Sequence, residues 1–147
     1  MSVRPSIAGV AALLLMTLAQ AQSMAPEQRE ALNAAERWLV PVDAQRYADA
    51  WAMTAESFKT TVGRQEFRDG IGKIRKDYGR VVTRKAEKLG FIGEPPNPND
   101  ADAGPKQGLQ VAILFDTKFA GNKQAAEEVS VVLEKDGLWR VAGYYIR

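Results

Sequence analysis

The chain has 147 residues and contains neither cysteine nor histidine. Without cysteine there can be no disulfide, no thiolate nucleophile and no lipid anchor through an N-terminal Cys. Without either residue, zinc and copper lose their usual nitrogen and sulfur ligands. Without histidine, the base of an ordinary serine triad is missing too. No glycine-rich phosphate loop joins a strand to a helix. Neither sign of charge is in excess: 20 basic and 18 acidic residues are interspersed, for a formal net charge of +2. A nucleic-acid surface would need a basic patch that this pattern lacks. Asp100 and Asp102 in "NPNDADAG" resemble a fragment of a calcium loop, but the acid that closes such a loop is missing, so the stretch reads as a solvated turn. No metal and no cofactor is expected.

Long apolar runs are scarce as well. The one at the N-terminus, Ile7 to Leu18, falls short of the ~20 residues that span a bilayer. It follows Arg4 and precedes Ala19-Gln20-Ala21, the layout of a secretory signal cleaved after Ala21. The expected division is therefore a signal peptide, residues 1–21, and one domain, residues 22–147, in the periplasm or secreted. Losing Arg4 leaves the mature chain nearly neutral, with no membrane contact expected after cleavage.

Apolar residues make up 46% of the chain and charged residues 26%, a composition that builds a soluble core. In "PEQREALNAAERWLV", Pro26 and Glu27 suit a first helical turn. Ala31, Ala35, Trp38 and Val42 share one stripe. Pro41 predicts a stop near Leu39. Asp43 then reads as the N-cap of a second helix, "DAQRYADAWAMTAESF", with Tyr47, Trp51, Thr54 and Phe58 on one side. A third helix, "GRQEFRDGIGKIRKDYG", lies between Gly63 and Gly79 and carries Phe67, Ile71, Ile74 and Tyr78. Gly70 and Gly72 inside it predict a close approach to a sheet.

From Val81 the pattern changes to strands. "RVVTRKAEKLGFIG" is the first, with imperfect alternation. A turn-rich connection with four prolines follows. In "GLQVAILFDTKFA", Leu109, Val111, Ile113, Phe115 and Phe119 alternate onto one face. "AEEVSVVLE" presents Val129, Val131 and Leu133 in the same way. The fourth strand ends the chain as "LWRVAGYYIR". Asp136-Gly137 suits a two-residue turn, which would pair Lys135 with Leu138 and set Arg140 against Leu133. A three-residue loop with Gly137 in the left-handed bulge position sets Leu133 against Trp139, Val131 against Val141 and Glu127 against Tyr145. A one-residue slip exchanges whole faces, so the apolar pattern selects the three-residue loop. An odd loop at "AGN" is needed for the same reason. The expected fold is α+β: three N-terminal helices packed in a curved four-stranded antiparallel sheet.

"RWLVPVDAQRYADAW", "EFRDGIGKIRKDYGRVVTRK" and "EEVSVVLEKDGLWRVAGYYI" together resemble domain of unknown function 4019, a family of bacterial exported proteins, from about Ala31 to Ile146. The resemblance implies the cone of the nuclear transport factor 2-like, cystatin-like superfamily and implies no activity, because that fold hosts enzymes, binders and dimerisation modules.

A cone pocket would draw on Tyr47, Trp51, Glu127, Trp139 and Tyr145. If Glu127 sat in a partly apolar setting, its pKa would rise and it could serve as an acid or base with Tyr47 or Tyr145. The leading expectation is a non-catalytic exported domain that binds a protein partner or a small apolar ligand. The alternatives are a small lyase- or hydrolase-type enzyme using Glu127, and a homodimer formed through the outer sheet face at Val132 and Tyr144, with Leu114 and Arg140 beside them.

Overall fold

The first helix, α1 (Pro26–Asp43), opens with Pro26 in its first turn, and the Gln28 side chain accepts a hydrogen bond from the Ala25 N–H at 3.3 Å. The computed structural model describes residues 24–97, 99–100 and 106–147. The expected signal segment and Asp102 lie outside them. Contrary to the predicted stop near Leu39, α1 continues through Pro41 to Asp43. Proline removes one backbone donor, but the last turn is closed by others. Ala44 N–H reaches Val40 O at 3.1 Å, and Arg46 N–H reaches Pro41 O at 2.8 Å. Gln45, with φ of 58°, then reverses the chain. Asp43 is thus the end of one helix rather than the cap of the next, and its carboxylate is free to turn inward.

The second predicted helix is two helices, α2 (Tyr47–Ala52) and α3 (Glu56–Thr61), so the described residues hold four helices rather than three. The interruption has a visible cause. Thr54 Oγ1 donates to Trp51 O at 2.7 Å, Thr54 forms a parallel bridge to Val141, and Ala55 N–H donates to Val141 O at 2.8 Å. The chain leaves the helix to meet the sheet. The next helix, α4 (Arg64–Tyr78), ends at Gly79, whose φ of 81° favours glycine. Its buried side chains step by four as Phe67, Ile71 and Arg75, while Ile74 is 42% exposed. A Cβ on Gly72 would lie 3.4 Å from the Tyr47 ring. The close approach is therefore to α2 and not to the sheet, and Gly70 faces open space.

Strands β1 (Val81–Ile92), β2 (Gln110–Phe119), β3 (Lys123–Leu133) and β4 (Trp139–Ile146) form one antiparallel sheet in the order β1-β2-β3-β4. Irregularities near Val82 and Glu87 account for the broken alternation of β1. Both predicted odd loops are present. Phe119 pairs with Lys123 across Ala120, Gly121 and Asn122, which sets Ile113 against Val129. Leu133 pairs with Trp139, Val131 with Val141, and Gly137 has φ of 78°.

Beyond Val141 the expected register fails. Val131 pairs with Val141 but Ser130 pairs with Gly143, so Ala142 is an extra residue. The bulge reverses which residues face inward from there on. Tyr144 lies opposite Val129 on the inner face, Glu127 lies opposite Ile146, and Tyr145 is 64% exposed beside Glu128. The sequence carries a faint trace of this in Gly143: a Cβ there would sit 2.7 Å from Ser130 Oγ.

Trp38, Leu39 and Val42 of α1, with Ala31 and Ala35, pack onto Val111, Ile113, Phe115, Val129, Val131 and Val141. Each large apolar side chain buried this way contributes roughly 1.5–3 kcal/mol. This core leaves one end of α1, one end of α4 and the middle of the sheet converging on a single polar spot.

Candidate functional site

Asp43 from the end of α1, Arg75 from α4, Arg84 from β1, Thr117 from β2, Glu127 from β3 and Tyr144 from β4 meet at that spot. Glu127 is fully buried, and its two oxygens accept five hydrogen bonds. Oε1 receives Tyr144 OH at 2.6 Å and one nitrogen each from Arg75 and Arg84 at 3.1 Å. Oε2 receives Arg84 Nε at 2.7 Å and Thr117 Oγ1 at 2.5 Å. Asp43 joins both guanidiniums from outside: Oδ2 takes Arg84 Nη1 at 2.6 Å, and Oδ1 takes Arg75 Nη2 and Arg84 Nη2, each at 3.0 Å. Two carboxylates balance two guanidiniums, so the buried Glu127 and Arg75, which would otherwise be costly, belong to a neutral set closed on the solvent side by the exposed Asp43. Among the described residues no buried side-chain nitrogen or oxygen lacks a partner.

Burial alone would raise the Glu127 pKa. The Arg84 guanidinium outweighs it, helped by Thr117 and Tyr144, and the carboxyl titrates below the ordinary glutamate range. Tyr144 is shifted the other way: burial, then the neighbouring Glu127 charge, raises its phenol well above the usual tyrosine value. Arg84, desolvated but held by Asp43 and Glu127, stays charged.

Beside this cluster lies a cleft of about 550 Å³ between α1, α2 and α4, lined by Val42, Asp43, Gln45, Tyr47, Gly72, Arg75, Lys76, Gly79 and Arg80. Its size is that of a small-molecule site. Burial, offset by Arg75 and reinforced by Asp43, raises the Tyr47 phenol pKa.

The sequence model of the family described as Protein of unknown function (DUF4019) matches residues 34–144. The chain belongs to this family. The matched span holds all six residues of the DUF4019 chain's polar cluster. Among curated proteins none matches it in sequence. A solved 2.5 Å structure from Catenulispora acidiphila is similar to it at 14% identity, with a TM-score of 0.48, over 81% of this chain and 88% of that one.

Within this DUF4019 domain the predicted pocket residues are dispersed. Tyr47 lines the cleft. Trp51 packs at the edge of the core with its Nε1–H on Val62 O at 2.9 Å and the Arg64 guanidinium over its ring. Trp139 is core, with its Nε1–H on Glu30 at 3.2 Å. Tyr145 points outward, contrary to expectation, because of the Ala142 bulge, and Tyr144 leaves the outer face for the same reason. Glu127 is fully buried, but its setting is cationic rather than partly apolar, so the condition under which its pKa would rise is not met and it falls instead. Asp43, Arg75, Arg84 and Thr117 were not foreseen as a group. Two of them left a signal: Arg75 continues the stripe of Phe67 and Ile71, and Thr117 continues the inward parity of Ile113 and Phe115.

The two adjacent tyrosines give a direct check on the bulge. Tyr144→Phe removes a donor from a buried carboxylate and is expected to cost about 1.5–3 kcal/mol. Tyr145→Phe is expected to stay within about 0.5 kcal/mol of the parent. Urea denaturation of both variants tests this, and the reverse ranking would mean the unbulged register.

Proposed function

We propose that this is an exported, non-catalytic binding domain of nuclear transport factor 2-like architecture, and that its ligand or protein partner occupies the α1–α2–α4 cleft. One observation carries the proposal: the acid–base groups next to the cleft are fully committed to one another. Glu127 has no acceptor direction left for a substrate proton and is held ionised, whereas a general base needs reach and a pKa near working pH. The open volume beside it, lined by Tyr47, Val42 and cations, can hold a ligand but brings no free base to it. Export is supported by the Ile7–Leu18 run and Ala19-Gln20-Ala21.

Native mass spectrometry of protein taken from the periplasm of its own host tests both parts. The expected spectrum starts at Gln22 and carries a retained small molecule or a partner of fixed mass. A chain starting at Met1 would refute export, and an empty monomer that captures nothing would refute the binding role.

A second reading has its own observation. Tyr145 stands exposed on the outer sheet face, which also carries Ala112, Leu114 and Val132. A second copy of the chain pairing there would be split by Val132→Glu or Tyr145→Glu. Light scattering that finds the parent monomeric at high concentration would eliminate the dimer.

A further inference from the structure

We infer that the cleft selects an organic carboxylate: an anionic head on an apolar aromatic or aliphatic body. This deepens the binding role proposed above and rests on the cleft being the site. The charges around the opening are not equivalent. Asp43 is neutralised in place, its oxygens 2.6–3.0 Å from Arg84 and Arg75. Arg75 is buried and committed to Asp43 and Glu127. Lys76 and Arg80 line the same cleft, both exposed, and neither has a carboxylate within ion-pair distance among the described residues. The opening therefore presents two positive charges without counter-charge over a neutral floor.

These two cations are not simply closing the negative end of α4. That end has its own partners: the Gly79 N–H donates to Arg75 O at 2.9 Å, and Lys123 Nζ donates to Asp77 O at 2.5 Å. Arg80 is anchored by its backbone, since its carbonyl accepts from Ala120 N–H at 2.8 Å, and it lines the cleft. A guanidinium and an ammonium together match the two oxygens of a carboxylate. Apart from the uncharged Gln45, the rest of the wall is apolar or bare. Val42 and the Tyr47 ring form one side, and Gly72 and Gly79 contribute no side chain. A Cβ at Gly72 would just touch the Tyr47 ring at 3.4 Å, so the glycine keeps that ring's flank uncrowded. An apolar body stacked on Tyr47 then places its anionic end at Lys76 and Arg80.

The test compares 4-phenylbutyrate with the neutral 4-phenyl-1-butanol by titration into ¹⁵N-labelled protein, following backbone amide shifts. The expected result is that the carboxylate moves the amides of Tyr47, Gly72, Lys76 and Gly79, and that the alcohol binds about tenfold more weakly. Lys76→Gln with Arg80→Gln should erase that preference while the remaining spectrum stays native, and Lys76→Gln alone should reduce it. Equal affinity for the two probes at these amides would overturn the carboxylate class and leave the cleft as a binding site. Shifts elsewhere only, or none with either probe, would overturn both.

Discussion

Glu127→Leu is expected to remove about 3–5 kcal/mol of folding stability, because it strands two buried guanidiniums with one carboxylate between them. Along β3 the inner-face neighbours Ala125 and Val129 are apolar, so a leucine suits the strand and the loss comes from the charges it leaves unpaired. The control is the paired variant Glu127→Leu with Arg84→Leu, which leaves Arg75 and Asp43 as a neutral pair 3.0 Å apart. Most of the lost stability should return in the double variant. Denaturant titrations of the two single variants and the pair measure the coupling, and purely additive losses would refute the ionic account.

The same group fixes a pH dependence. Glu127 titrates below its ordinary value in the folded protein, so the folded state binds its proton less readily than the unfolded state. The stabilisation is complete above the ordinary glutamate pKa and is lost as pH falls through the depressed folded value. The parent should lose stability steeply on the acid side of that window, and Glu127→Leu should show a flatter acid limb.

Trp38→Ala carries the second large effect, about 3–5 kcal/mol from lost burial and an unfilled cavity. Trp38 is 1% exposed, lies between the Phe67 and Tyr144 rings at centroid distances of 6.3 and 5.3 Å, and donates Nε1–H to Ala50 O at 2.9 Å. It fastens α1, α2 and α4 to the sheet at one place. Trp38→Phe, which keeps a ring but drops the donor, should lose roughly half as much or less. Urea denaturation of the two variants ranks them, and an equal loss from both would assign the effect to the hydrogen bond rather than to volume.

What the sequence made legible follows from which signals are periodic. Alternation of Val111, Ile113 and Phe115 against Val129 and Val131 determined β2 and β3, and the pairing of Leu133 with Trp139 chose the last turn. A single inserted residue has no period, and Gly143 is too faint a trace to place it, so the bulge at Ala142 exchanged Tyr144 for Tyr145 unseen. Pro41 misled because a missing donor matters less where the chain is about to leave the helix with other closing bonds. The break at Thr54 arose from a contact with Val141, 87 positions away, which no local pattern encodes. The charge cluster was half visible. Arg75 on an apolar helical stripe and Glu127 on an apolar strand face each demand a buried counter-charge, and taken together they point to one another.

The contact of Thr54 and Ala55 with Val141 also bears on how these molecules can meet. Strand β4 is one margin of the sheet, and this short segment occupies part of its outward hydrogen-bonding row. The opposite margin, β1, is twice interrupted in register and carries Lys85, Glu87 and Lys88. Charge and irregularity on one border and an intramolecular cover on the other both discourage a foreign strand from adding on. The sheet is thus guarded, along these stretches of its borders, against growing sideways into fibrils.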